Sequence, residues 1–202
     1  MTAALEGAVE LLERALGYTR VTLADVRPDN LHAPTPCSVW TLSRLLDHMD
    51  DALDVFTEAA SGQVHVERVP ASDDRLDTLR QKACALLGAW TEARPSSVEI
   101  GDRRLDAPLL VATAALEITI HGWDVAQATG RGTPIPGDLA RGLLPIAEQA
   151  IGPADRGSRF AAPLPLGPST VPSDNLLAYV GRTTGPLGGK NGEPPSSEGI
   201  AS

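Results

Sequence analysis

The sequence predicts an all-α protein, because apolar residues recur at helical spacing in one segment after another. This spacing begins near the N-terminus, returns after residue 41 and again after residue 74, and extends to about residue 180. One segment, residues 107–129, is apolar on nearly every side, which is typical of a helix surrounded by other elements. At 202 residues, the chain is long enough for one domain with a sizeable core.

The first two predicted helices are amphipathic. Residues 3 to about 25 carry leucine and valine at helical spacing, and a proline-rich loop follows. Thr41 is expected to cap the second helix. A helical wheel places His48 on the apolar side of that helix, away from its acidic neighbours. The second helix therefore carries a titratable group inward.

The third predicted helix follows a loop that is long enough for a crossover along a bundle. Ser72-Asp73-Asp74 is a good start signal for this helix, and Pro95 lies just past its end. Residues 97–104 alternate weakly around a turn and predict a small hairpin or an extended loop. Cys84 is expected to pack on the core face or beside it. That face would consist of Leu76, Leu79, Ala83, Leu86, Leu87 and Trp90.

The fourth predicted helix, residues 107–129, carries the features that suggest a function. Its only ionisable side chains are Glu117, His121 and Asp124. At 3.6 residues per turn, these three fall within an arc of roughly 60°. Because unpaired charge is costly to bury, this polar strip needs partners, and a metal ion is one of them.

The remainder of the chain predicts shorter elements. A fifth helical segment begins near Gly137, and Pro145 should kink or restart it. Residues 152–172 are rich in proline and glycine and predict an irregular strap, and a short last helix follows over residues 175–181. Residues 184–202 show no periodicity and predict a disordered tail, so the expected domain spans residues 1–183.

Two interpretations of the inward-facing polar residues remain open. Packed helices lie about 8–10 Å apart, so His48, Glu117 and His121 could bind one divalent cation. Two histidines and one glutamate leave a fourth position free, as in catalytic zinc sites. The alternative is a satisfied polar cluster in the core. Asp124 either supports a ligand ring or a bound water, or bonds to a loop backbone.

Charge and cysteine content argue against several classes of protein. The formal charge of -9 disfavours nucleic acid and an anionic membrane surface as partners. Two cysteines are too few for a disulfide framework, and Cys37 has no evident base or positive neighbour that would make it a nucleophile. Because no run of about 18 apolar residues and no signal peptide is apparent, the expected location is the cytoplasm.

Three motifs in the sequence resemble the DinB-like superfamily, and within it the mycothiol-dependent maleylpyruvate isomerase N-terminal-domain group. They are TPCSVWTL at residues 35–42 with LLDH at residues 45–48, EITIHGWDVA at residues 117–126, and more weakly DNLLAYVGR at residues 174–182. The resemblance covers residues 3 to about 183. It implies a four-helix bundle with a long second crossover and short additional helices.

The resemblance also implies a function. The metal ligands of the group fall on His48, Glu117 and His121, and the implied ion is divalent, with zinc foremost. Characterised relatives use the ion to bind the thiolate of a small cellular thiol such as mycothiol, which then adds to an electrophilic small-molecule substrate. The expected reaction is thiol transfer or isomerisation, with Asp124 orienting a ligand. Because relatives often dimerise, a homodimer is a further expectation.

Two other classes of function stay open beside this one. The first is a metal-dependent hydrolase or cyclase that uses no thiol, in which a bound water is the nucleophile or the ion is a Lewis acid. The second is a non-catalytic protein that binds a small ligand for sensing or sequestration.

Overall fold

The computed structural model describes residues 2–37, 40–62, 75–92, 95–157, 160–165 and 171–183. Within these ranges the chain is mainly helical, which confirms the all-α prediction, and residues 97–106 form a small antiparallel hairpin. The predicted crossover loop, the predicted cap of the third helix and the predicted tail at residues 184–202 lie outside the described residues. The elements are α1 (Ala3–Leu23), α2 (Leu42–Glu58), α3 (Arg75–Glu92), β1 (Ser97–Ile100), β2 (Arg103–Asp106), α4 (Ala107–Ala128), α5 (Gly137–Ala150) and α6 (Pro172–Tyr179).

Helices α1 to α4 form the predicted four-helix bundle. Helix α1 lies along α4, α2 packs on α3 and α4, and α5 packs on α4 and α6. The core is almost entirely aliphatic, as a chain with 3% aromatic residues requires. Trp90 is the largest fully buried side chain, and its indole N–H donates to the Phe56 carbonyl at 2.8 Å. Burial of this residue therefore leaves no polar atom without a partner.

Side-chain caps fix where the helices that carry the polar residues begin. The Thr41 hydroxyl accepts from the backbone N–H of Arg44, which confirms the predicted start of α2. Asp106 ends the hairpin opposite Ser97, and its carboxylate accepts from the Leu109 N–H at the start of α4. Helix α5 runs through Pro145 without restarting.

Helices α1 and α4 approach closely at Gly122. A Cβ at this position would lie 2.4 Å from the Thr19 hydroxyl oxygen, so no larger residue fits without a shift. The Thr19 hydroxyl donates to the Ile118 carbonyl at 2.9 Å. This contact seats α4 on α1, and Glu117 lies beside it, within hydrogen-bond distance of His48 on α2.

Helix α4 is enclosed by other elements, as its apolar pattern predicts. Among the described residues it is the one helix that is long and apolar enough to cross a membrane by length and composition. However, 78% of its most apolar 18-residue window is buried inside the protein. This burial is what the core helix of a folded domain shows.

Helix α3 also differs in part from its prediction. Leu79, Leu86 and Trp90 are buried as expected, but Cys84 is exposed, and the expectation that it packs in the core is wrong. The physical reason is a cavity between α3 and α1, because Cys84 lines this cavity and has no core against it.

Candidate metal centre

His48 and two residues of α4 converge at one point between α2 and α4. The Nε2 atom of His48 lies 2.8 Å from Oε1 of Glu117, and Nε2 of His121 lies 3.2 Å from the same oxygen. The three potential ligand atoms are all within 4.8 Å of one another. Glu117 and His121 are one helical turn apart and so share a face, as the wheel predicted.

Trp40 covers one side of these two imidazole rings. Its ring centroid lies 4.9 Å from that of His48 and 6.2 Å from that of His121. The loop before α2 positions it, because the backbone N–H and hydroxyl of Thr35 both donate to the Trp40 carbonyl, at 3.2 and 3.0 Å. The sequence assigned Trp40 no role at the site, although the TPCSVWTL motif includes it.

Asp124 lies behind His121 and is completely buried. Its Oδ2 is 3.0 Å from Nδ1 of His121, and the Arg182 guanidinium donates to both of its carboxylate oxygens at 2.9 Å. A hydrogen bond from Nδ1 to a carboxylate leaves Nε2 as the nitrogen that faces Glu117. Sequence reasoning gave Arg182 no role, and its place in the DNLLAYVGR motif is the only signal that could have found it.

The charges at the site are strongly coupled. Burial alone would lower the pKa of His121, but the carboxylates of Glu117 and Asp124 raise that pKa to about 9. Burial would raise the pKa of Glu117, but His121 and His48 hold it far below its ordinary value. The buried carboxylate of Asp124 and the half-buried carboxylate of Glu117 therefore require positive charge beside them, which protonated imidazole, Arg182 or a metal ion supplies.

Cys37 lies beside this network and, contrary to the expectation from the sequence, has a positive neighbour. Arg182 contacts the thiol as a positive neighbour, which the sequence did not reveal. Burial raises the pKa of Cys37, and Arg182 offsets only part of that rise, since Asp124 and Glu117 act in the opposite direction. The thiol therefore stays protonated at neutral pH, which disfavours a role as nucleophile.

The donor atoms fit a divalent cation. Two imidazole nitrogens and one carboxylate oxygen are a typical set for zinc with one position left free. Metal-binding histidines usually donate their second N–H to a carboxylate or a carbonyl, and Asp124 stands in that place for His121. The assignment of His48, Glu117 and His121 as metal ligands stays a prediction that this geometry supports.

A cavity of about 540 Å³ opens beside the centre, between α1, α2, α3 and α4. Glu117 and His121 form part of its wall, so a molecule in the cavity would contact two of the three potential ligands. Most of the other lining residues are aliphatic. The centre therefore has Trp40 against its histidine rings and an apolar cavity beside Glu117 and His121.

Comparison with known proteins identifies the family. No family model matches the chain. The uncharacterized proteins Rv0738 and MT0763, from two strains of Mycobacterium tuberculosis, are each 30% identical over 176 residues, which cover 85% of this chain and 95% of theirs. The chain belongs to the family of these mycobacterial proteins.

Solved structures place this family within a known fold. The crystal structure of the mycothiol-dependent maleylpyruvate isomerase has a TM-score of 0.55 and 19% identity, and the match covers 75% of this chain and 76% of that one. A mutant of an isomerase with the same name has a TM-score of 0.53 and 18% identity, covering 73% and 70%. The resemblance predicted from the sequence is thereby confirmed at the level of the fold.

Proposed function

We propose that this protein is a divalent-metal-dependent enzyme that brings a low-molecular-weight thiol to a small electrophilic substrate, for thiol transfer or isomerisation. The observation that carries the proposal is the convergence of His48, Glu117 and His121 beside an open cavity. The thiol is inferred from the shared fold, since the structural neighbour is a mycothiol-dependent isomerase. Zinc is the foremost metal, and mycothiol the foremost thiol.

Each residue of the centre has a role in this proposal. His48, Glu117 and His121 hold the ion, which when bound supplies the positive charge that favours the deprotonated form of a nearby thiol. Asp124 keeps the His121 ring in place through Nδ1, and Arg182 holds Asp124. Trp40 covers the histidine rings and limits access of water from its side.

The proposal is tested by metal content and thiol binding. Purified protein is expected to hold about one zinc per chain by elemental analysis, and to bind mycothiol in calorimetric titrations only when zinc is present. His48→Ala should lose both properties, whereas His32→Ala is the matched control because His32 is exposed in a loop. Mycothiol binding that is absent, or no weaker in His48→Ala, would overturn the thiol role. Stoichiometric zinc without thiol binding would favour the hydrolase or cyclase alternative.

A second pair of variants tests which residues touch the ion. Glu117→Gln should weaken zinc binding more than Asp124→Asn, because it removes the one anionic ligand, whereas Asp124 acts through His121. Loss of a supporting carboxylate typically costs 10- to 100-fold in metal affinity, on the order expected for Asp124→Asn. Competition titrations against a chromogenic chelator measure both affinities. Equal losses would show that the two carboxylates have been assigned the wrong roles.

A further inference from the structure

The cavity beside the candidate metal centre indicates what kind of substrate the protein takes. We propose that it binds the apolar body of the electrophilic substrate, which is then a largely aliphatic or aromatic molecule with one polar reactive group. The reaction of that molecule rests on the proposed function. The binding of that molecule does not rest on it, because the apolar walls consist of side chains other than the candidate metal ligands.

The walls of the cavity are built from four helices and are chiefly aliphatic. Leu16 and Leu23 belong to α1, Leu53 to α2, Leu79 to α3 and Ile118 to α4. Water in such a space finds few hydrogen-bonding partners, so an apolar ligand that displaces it gains free energy with each methylene that it buries. The walls therefore favour an apolar molecule over a charged or sugar-like one.

Polar groups of the lining fall into two sets that differ in exposure. The exposed set lies toward solvent and comprises Glu13, Arg20, Arg80 and Cys84, whereas Glu117 is half-buried and His121 is buried. The Thr19 hydroxyl also lines the cavity but is already bonded to a backbone carbonyl. A bound molecule would therefore keep its apolar part between the helices and turn its reactive group toward Glu117 and His121.

The size of the cavity limits the occupant. Its volume of about 540 Å³ lies within the range of roughly 300–1,000 Å³ found for small-molecule sites. At about 30 Å³ per water-sized group, such a space holds on the order of 18 non-hydrogen atoms. A helix from a partner protein, about 10–12 Å in diameter, is too large for it. The occupant that fits is a small molecule.

One glycine contributes to the width of this cavity. Gly17 lines it from the middle of α1, where glycine is less favourable for a helix than alanine by roughly 0.5–1 kcal/mol. A Cβ at Gly17 would meet no atom within 4 Å, so a larger side chain fits there and would narrow the cavity. Gly7 lies in the same helix, is equally unobstructed and does not line the cavity. The two glycines form a matched pair for a test.

The test uses zinc-free protein, so that the metal makes no contribution. Anilinonaphthalene sulfonate is bound as a fluorescent probe and displaced by straight-chain alcohols from butanol to octanol. The dissociation constant is expected to fall about threefold to fourfold with each added methylene. Gly17→Leu should weaken octanol binding at least tenfold, and Gly7→Leu should leave it unchanged. Circular dichroism confirms that both variants are folded.

A second pair of variants narrows the cavity from the opposite wall. Ala83 lines it on α3, while Ala85 is exposed on the same helix and does not. Ala83→Phe should weaken octanol binding, and Ala85→Phe should not.

Affinity that is independent of alcohol length, or equal losses within each pair of variants, would overturn the proposal. Alcohol binding that depends on chain length, in a protein that never holds zinc, would support the apolar cavity as a binding site and overturn the metal-dependent function. Binding of zinc and mycothiol without any alcohol binding would support the metal-dependent function and overturn the apolar binding site.

Discussion

Replacing Asp124 by asparagine tests how the buried charges at the centre are balanced. The substitution keeps the size of the side chain but removes the charge that faces Arg182. Asp124 is 0% exposed and Arg182 is 7% exposed, and two hydrogen bonds of 2.9 Å join them. A buried ion left without its partner costs about 3–5 kcal/mol. The free energy of unfolding of metal-free Asp124→Asn should therefore fall by about that amount, out of roughly 5–15 kcal/mol for a typical domain.

The double variant makes this prediction sharper. Arg182→Met alone should also be strongly destabilised, because the Asp124 carboxylate then has only His121 to balance it. Replacing both members of a buried pair by uncharged groups removes the isolated charge and is often nearly neutral. The combination of Asp124→Asn with Arg182→Met should therefore be more stable than Asp124→Asn alone, although it carries one more substitution.

Urea unfolding followed by circular dichroism, with a chelator present, measures these free energies. The matched control is the ion pair between exposed Arg131 and half-buried Asp25, whose Nε and Oδ1 atoms are 3.0 Å apart. Asp25→Asn should change stability by no more than about 1 kcal/mol, as surface ion pairs usually do. The inference would be refuted if Asp124→Asn lowered the free energy of unfolding no more than Asp25→Asn does. It would also be refuted if the double variant were less stable than either single variant, because the Asp124–Arg182 pair would then not balance charge.

Two further predictions concern pH and packing. In metal-free protein the pKa of His121 is raised to about 9, above its ordinary value near 6.5, so its stabilising contribution is complete below pH 6.5. This contribution is lost as pH rises through about 9, so the urea midpoints of metal-free protein should fall over that range. Zinc affinity should rise over the same range, because the His121 imidazole must be neutral to bind the ion. Urea midpoints that do not change with pH would refute the coupling between His121 and the two carboxylates. Gly122→Ala should cost about 1–3 kcal/mol in thermal melts, because its Cβ would lie 2.4 Å from the Thr19 hydroxyl. Gly7→Ala, in open space, should instead stabilise α1 by roughly 0.5–1 kcal/mol.

The positions of His48, Glu117 and His121 could be predicted from the sequence because the signal is local. Helical periodicity alone places each on an inward face, and a helix apolar all round indicates that its polar strip is enclosed. That two different helices bring these strips together is not local, and the resemblance to a known family supplied it. The structure then shows the potential ligand atoms within 4.8 Å of one another.

Arg182 shows why other parts of the centre could not be predicted. It is 58 residues from Asp124 along the chain and lies beyond the end of α6, where no periodicity applies. Its neighbour Cys37 was judged by residues near it in sequence, and the cation that contacts it comes from the other end of the fold. Partners that meet only through tertiary packing leave no trace in local spacing.

The cavity could not be predicted from the sequence for a related reason. An apolar residue that faces a cavity has the same helical spacing as one that faces a core, so Ala83 and Leu87 were assigned to packing. The potential metal ligands belong to α2 and α4, while α3 contributes only wall. Substitutions on the α3 wall can therefore change which molecule fits without moving any of the potential ligand atoms of His48, Glu117 and His121. We expect the donor set to be the constant part of this family and the apolar wall to be the part that determines the substrate.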